Sequence, residues 1–342
     1  MNIFIILDRP SHANDKKWLI DAMEKAMIQE NAQIIPVYSS FVTSVAYRRG
    51  LWGKLRVVCE YLRMSVRFLR QSRKEDVAIC WTPLMSYILY LLMRCFMASR
   101  KVVSLNWLHP SSGRLIKWVE RKIVSDPKVR VVVNTPATID LFVSSLGINR
   151  PDAFRCVPDV YDTRIPFNKN VRPHFGSHFF TGGMNNRDWG LIVGLAKAFP
   201  RQSFVCCALK DDFFSCVSDI PDNMKVMFDV PSTEYYRLLS EAFAVLLPLR
   251  SKRASGLINI IRAAQEGVLC LTTSIPATEQ YYGEGARDLL MPFDASSWED
   301  KVRQLLALSE DAYISKCRSY ASYIEEEFSP ENAVGKIISA IP

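Results

Sequence analysis

Two stretches of this 342-residue chain carry residue types in an order that suits an anion. In FFTGGMNNRDW, residues 179–189, an apolar run reaches Gly182 and Gly183, passes Asn185, Asn186 and Arg187, and enters a helical pattern. Glycine lets a ligand approach the backbone, a helix opening offers unused N–H groups, and arginine adds a fixed positive fork of donors. The bland alternative is a tight turn with Arg187 paired to Asp188. In PLRSKRASGL, residues 248–257, the cations Arg250, Lys252 and Arg253 precede Ser255 and Gly256, which open another helix. A diphosphate between two such openings is held by backbone dipoles and guanidinium groups without a metal. No metal site is expected elsewhere: Asp211-Asp212 is not a spaced Asp-x-Asp pair, no CxxC is present, and four scattered histidines make no zinc pattern.

A third stretch, KVVSLNWLHPSSG at 101–113, places Asn106 and His109 just after an apolar run. A histidine there can orient or deprotonate a hydroxyl, or be an ordinary loop residue.

These turns need strands to deliver them. β-rich runs occur at 2–8, 33–39, 77–81, 101–107, 129–135 and 154–160, with helical patterns at 16–30, 52–72, 84–98, 113–125 and 136–146. The alternation resumes with strands at 178–182, 203–209, 225–230, 243–249, 268–273 and 288–293. Helices fit at 187–199, 232–241, 256–266, 276–282 and 296–308, and 310–342 is helical apart from a break near Pro330. Near-continuous apolar strands separated by helices predict parallel sheets covered on both faces. The expected fold is α/β, with two Rossmann-like doubly wound domains facing each other across a cleft. The first spans 1–165 and the second 166–328, and a last helix follows at 329–342. Residues 161–176, with two prolines and little pattern, are the linker.

The net charge of +8 belongs to the first domain. Residues 1–165 hold 25 Lys/Arg against 14 Asp/Glu, whereas 166–342 hold 18 against 21. Residues 48–74 alone carry nine cations, Arg48 and Arg49 among them, and one anion, Glu60. Arg49, Arg56, Arg63 and Arg70 recur every two helical turns, and Arg67 lies beside them. Trp52, Leu55, Cys59, Leu62, Val66 and Leu69 follow helical spacing on another face. Such a helix suits the headgroup zone of an anionic bilayer, or packs its apolar side in the core with its arginines in water. The apolar run 77–93 is broken by Pro83, so it reads as strand and helix rather than a span. The N-terminus lacks the marks of a signal peptide, and nine irregularly spaced cysteines suggest reduced thiols. A cytoplasmic protein at the inner face of the membrane is expected. Nucleic acid is not an expected partner, because no groove-reading motif or interleaved aromatics accompany the basic residues.

With FFTGGMNNRDW, SGLINIIRAAQEGVLCLTTSIPATEQYY and VVVNTPATIDLFVSSLGI running into FRCVPDVYD, the chain resembles a GT-B-fold glycosyltransferase of the family-4 type, found in bacterial polysaccharide and lipid-linked glycan synthesis. The resemblance is weak and spans nearly the whole chain. It implies a UDP- or GDP-linked sugar donor in the second domain, no separate cofactor, a lipid-linked or polysaccharide acceptor at the first, a final helix, 329–342, packed back on the first domain, and retention of anomeric configuration.

By the same resemblance, Gly182, Gly183, Asn186 and Arg187 match the loop beside the donor phosphates, and Ser255, Gly256 and Leu257 the helix start beneath them. Lys252 and Arg253 flank that start, and Val230 lies where backbone meets the nucleobase. Asn106 stands near the position of a frequent histidine, with His109 three residues on. Two glutamates common in the family are here Ala254 and Arg262. Arg262 has only donors and cannot accept from a ribose; Glu266 or Glu279 are the substitutes. Glycosyl transfer is the reading the residues favour. A nucleotide-sugar epimerase and a membrane-docked binding partner with a decayed site are the alternatives.

Overall fold

The computed structural model describes residues 1–9, 11–40, 51–169, 171, 174–183 and 185–342. Arg48 and Arg49 therefore lie outside the described residues. The chain divides into two compact units, residues 1–158 with 330–342, and residues 159–329.

Unit 1 begins β1 (Asn2–Leu7), α1 (His12–Asp15), α2 (Lys17–Met27), β2 (Gln33–Tyr38) and α3 (Leu51–Gln71). It continues β3 (Val77–Cys80), α4 (Pro83–Cys95), β4 (Lys101–Ser104), α5 (Arg114–Ser125), β5 (Val129–Val133), α6 (Pro136–Leu146) and β6 (Phe154–Cys156). The strands form one parallel sheet in the order β2-β1-β3-β4-β5-β6. VAIC of β3 is buried at every position, as a central parallel strand covered on both faces must be. The apolar run 77–93 divides at Pro83. Proline lacks the N–H that a helix's first residue leaves unused, so it opens α4, whose Met85, Ile88, Leu89 and Met93 enter the core. Among the described residues no helix is long and apolar enough to cross a membrane. β4 ends at Ser104 rather than 107. Asn106 adopts a left-handed φ of 60°, which breaks the extended run, and its side-chain amide donates to Trp81 O at 2.7 Å.

Unit 2 runs β7 (His178–Gly182), α7 (Trp189–Ala198), β8 (Ser203–Ala208), α8 (Lys210–Phe214), β9 (Met224–Phe228), α9 (Ser232–Ser240) and β10 (Ala244–Leu247). Then follow α10 (Leu257–Glu266), β11 (Leu269–Thr273), α11 (Pro276–Glu279), β12 (Leu290–Met291), α12 (Ala295–Leu306) and α13 (Glu310–Glu327). Its sheet is also parallel, in the order β12-β11-β10-β7-β8-β9. The final helix, α14 (Pro330–Ser339), belongs to unit 1, where it packs against α2 and β6.

Helix α3 decides between the two readings of its faces. Its buried side is Tyr61, Met64 and Phe68, which join the sheet's core at about 1.5–3 kcal/mol for each large apolar side chain. Of the two readings of its Trp/Leu face, the structure excludes the one that sends that face into the core at Trp52, Leu55 and Leu62, which are 85%, 47% and 37% exposed. Both arcs follow helical spacing, and the sheet took the one that also brings Tyr61 to Asp8, whose carboxylate accepts from the phenol at 3.1 Å.

Candidate functional site

In unit 2 the chain leaves β7 toward β8 on one side, while β10, on β7's other flank, begins the run to β12. The carboxyl ends of β7 and β10 are thus the point where the strand order reverses, the place where open α/β sheets bind ligands. The loops following these strands are the two glycine-bearing segments, 182–188 and 248–256.

The loops are stitched together. Arg187 bridges to Leu249, Asp188 N donates to Pro248 O at 3.0 Å, and Arg250 N donates to Asn186 O at 3.1 Å. The Asn186 side-chain amide donates to Arg253 O at 2.7 Å and Ser251 O at 3.1 Å, and its oxygen accepts from Ser251 Oγ at 2.9 Å. Asn186 therefore shapes the basic loop. Asp188 caps α7 by accepting from Leu191 N at 2.9 Å, so it is not the partner of Arg187.

Arg187 is placed differently from expectation. It is 1% exposed, not a fork reaching into solvent. Its Nε donates to Gly182 O at 2.9 Å, and its Nη1 to Asn185 O at 3.3 Å and Ser255 Oγ at 3.2 Å. Ser255 Oγ in turn donates to Asn185 O at 2.8 Å. No carboxylate among the described residues forms an ion pair with it, and burial pushes its pKa down. The glycines make room for it. A Cβ on Gly183, whose φ is +138°, would stand 2.6 Å from Arg187 Nη2, and one on Gly256, at φ +77°, would meet the same atom. Gly182 is required by a second neighbour: a Cβ there would lie 2.6 Å from Tyr235 Cζ. Tyr235 is fixed by Asn259, which donates to its hydroxyl at 2.7 Å, and burial pushes its phenol up. A guanidinium in this setting is a buried charge held by neutral acceptors rather than by a carboxylate ion pair among the described residues.

The other expected residues fall around this junction or away from it. Gly256 caps α10 and Leu257, its first residue, is buried; Lys252 and Arg253 are exposed. Val230 is half-buried beyond β9. Glu279 is exposed and accepts from Ser274 Oγ at 2.8 Å. Arg262 stacks 4.8 Å from the Tyr236 ring centre and pairs with Glu266 at 2.7 Å, so Glu266 is engaged rather than free for a ribose. Asn106 and His109 belong to unit 1; Asn106 is tied to the Trp81 carbonyl and His109 is exposed. Among the described residues no three His, Cys, Asp or Glu gather as a metal site.

On α3, Arg63 is tied by two hydrogen bonds to buried Glu60, at 2.9 and 2.7 Å, whereas Arg67 and Arg70 face solvent and make no ion pair with a described residue. Sequence reasoning missed a pair in unit 1, Asp8 and His12, whose side chains approach to 3.2 Å at the end of β1. Its signal is DRPSH directly after the first apolar run.

No family model matches the chain, and no curated protein matches it in sequence. Solved structures do match. The Anabaena protein HepE in complex with UDP and glucose superposes with a TM-score of 0.66 at 11% identity, covering 98% of each chain. The E. coli trehalose-6-phosphate protein bound with UDP-2-fluoro glucose superposes at 0.67 and 9% identity, over 100% of this chain and 99% of its own. Sucrose-phosphate synthase from Thermosynechococcus elongatus superposes at 0.67 and 11%, over 99% and 98%. The architecture is thus the α/β fold of the GT-B class, two Rossmann-like units with six-stranded parallel sheets.

Proposed function

We propose that this chain is a glycosyltransferase. It takes a sugar from a nucleoside diphosphate, UDP- or GDP-linked, and transfers it to a hydroxyl of a membrane-linked glycan or polysaccharide. The observation that carries the reading is Arg187: a buried guanidinium with no carboxylate ion pair among the described residues, between two glycines that only a missing side chain leaves room for, at the strand-order reversal of unit 2. A diphosphate supplies the absent negative charge. Arg187, the first-turn amides of α10 and the exposed Lys252 and Arg253 would stabilise the charge that develops on it as it leaves. Solved structures of the same fold bound to UDP and to UDP-2-fluoro glucose support a nucleotide-sugar donor. Retention of anomeric configuration is the course that the resemblance implies.

The outer face of α3 supports a membrane-linked acceptor. Trp52, Leu55 and Leu62 stand exposed beside Arg67 and Arg70, and a shallow groove of about 580 Å³ runs along Leu62, Val66, Arg67 and Arg70. Apolar and basic side chains outward on one helix fit an anionic leaflet at the cytoplasmic side.

Ala254 and Arg262, together with the engaged Glu266, favour one second reading, a binding partner that no longer turns over its donor. Calorimetry with UDP and GDP, followed by assay of nucleoside diphosphate release from a panel of nucleotide sugars, tests both. Absence of binding would overturn the donor site; binding without turnover would favour the second reading.

A further inference from the structure

Unit 1 has a strand-order reversal of its own. β1 connects to β2 on one side, while β3 begins the run to β6 on the other. At the carboxyl ends of β1 and β3 stand side chains that neither the donor site nor the α3 surface uses. Asp8 follows β1 at 3% exposure and His12 opens α1 at 7%. His12 Nδ1 faces Asp8 Oδ1 at 3.2 Å, and the Tyr61 hydroxyl holds the other carboxylate oxygen. Trp81 follows β3 and meets the imidazole edge to face, with ring centres 5.9 Å apart. Lys16 lies 4.7 Å from the centre of the same indole.

The two imidazole nitrogens differ. Nδ1 is sealed from solvent against Asp8, whereas Nε2 is neither sealed nor hydrogen-bonded to a described residue. A carboxylate facing Nδ1 favours the tautomer protonated there, which leaves the Nε2 lone pair outward as an acceptor. Burial lowers the His12 pKa; Asp8 and Asp15 oppose that shift, and Lys16 and Arg9 add to it. The ring is therefore neutral at pH 7. A half-buried indole beside it offers an apolar face next to polar atoms, the pairing of surfaces that a sugar ring presents in turn.

Resting on the glycosyltransferase reading, we propose that the ends of β1 and β3 form a sugar-ring subsite for the acceptor, in which the ring lies against Trp81 and one of its hydroxyls donates to His12 Nε2. Asp8 is a positioning residue that fixes the imidazole. Lys16, whose ammonium stands over one face of the indole, rejects a cationic ligand.

The test uses the full chain and a panel of methyl glycosides of glucose, galactose and mannose, observed by saturation-transfer NMR. At least one glycoside is expected to bind the wild type. Binding should weaken about tenfold in His12→Gln, the equivalent of one buried hydrogen bond, and comparably in Trp81→Ala. It should also weaken in the wild type, but not in His12→Gln, as pH falls through the titration of the imidazole, which burial moves below the ordinary histidine value. Trp81→Phe keeps an aromatic platform and should retain most binding, which guards against a folding defect in the alanine variant. UDP or GDP binding, measured in the same samples, should be unchanged in all variants. No glycoside bound, or binding indifferent to His12→Gln and to pH, overturns the subsite. Failure of the nucleotides to bind the wild type overturns the donor reading instead, so the two failures are distinct.

Discussion

The Nη2 of Arg187 occupies the space that a side chain on Gly256 would need. This contact joins the two loops of unit 2 through the absence of a Cβ rather than through an added group. It explains why a glycine caps α10 at φ +77°, where Ser, Thr, Asn or Asp would ordinarily serve. It also explains how a guanidinium can be buried there without a carboxylate. The charge is surrounded by the carbonyls of Gly182 and Asn185 and by Ser255 Oγ, which orient it without neutralising it.

Gly256→Ala should therefore be costly twice over. The left-handed φ costs an alanine about 1–2 kcal/mol, and the collision with Arg187 adds about 1–3 kcal/mol as overpacking does in cores. A lower melting temperature and weaker nucleotide binding are expected together. An unchanged melting temperature would mean that Arg187 swings freely out of the junction.

Arg187→Met should separate binding from folding. Methionine fills similar space without the charge. Gly182 O keeps the Asn259 amide as a donor at 3.3 Å, and Asn185 O keeps Ser255 Oγ at 2.8 Å, so neither carbonyl is orphaned. Removing an unpaired buried charge is then close to neutral for stability. Binding of UDP or GDP should weaken by about 1.5–3 kcal/mol, the loss of a charge-assisted bond. Calorimetry beside a thermal melt reads both, and an unaltered dissociation constant would remove Arg187 from the site.

Much of this was legible in the sequence because buried parallel strands are written as continuous apolar runs. AVLL of β10 and VAIC of β3 are buried at every position, as central parallel strands covered on both faces are, and runs this short between turns suit strands better than helices. The glycine turns were legible for the same reason, since each follows such a strand. Burial of Arg187 was not legible, because it depends on β10 lying beside β7 rather than on anything within 179–199. The inward side of α3 was equally hidden. Trp52, Leu55, Cys59 and Leu62 have the helical spacing that Tyr61, Met64 and Phe68 also have, and only the sheet chooses between them. His12 and Asp8 are four residues apart, but their setting is made by Trp81 and Tyr61, which the topology brings from far along the chain.

The membrane reading predicts unequal roles for the arginines of α3. Arg67→Glu with Arg70→Glu should weaken binding to phosphatidylserine-containing vesicles by at least about 1 kcal/mol for each cation lost, and more at low salt. The fold should survive, since both side chains are exposed. Trp52→Ala should weaken the same binding without salt dependence. Co-sedimentation with anionic and neutral vesicles measures this, and undiminished binding of the double variant to anionic vesicles would remove α3 from the interface.

Arg63 answers to a different partner, and pH reveals it. Burial alone would raise the Glu60 carboxyl, but Arg63 and the amide and hydroxyl of Ser40 overcome it and hold the pKa at about 2. The folded value lies below the unfolded one, so the stabilisation is fully present above the ordinary glutamate range and is lost as pH falls from there toward 2. Its size is up to about 3 kcal/mol, reduced by the solvent that reaches the exposed guanidinium of Arg63. Acid unfolding of Glu60→Gln should accordingly start from lower stability at pH 7 and fall less steeply below about pH 4.5 than the wild type. Arg63→Glu should be more damaging than either reversal at Arg67 or Arg70, because it leaves Glu60 buried beside a like charge. Denaturation followed across acidic pH decides it: parallel curves for Glu60→Gln and wild type would show that Glu60 holds no ionised advantage in the folded state, and Arg63 would then join Arg67 and Arg70 as a surface cation.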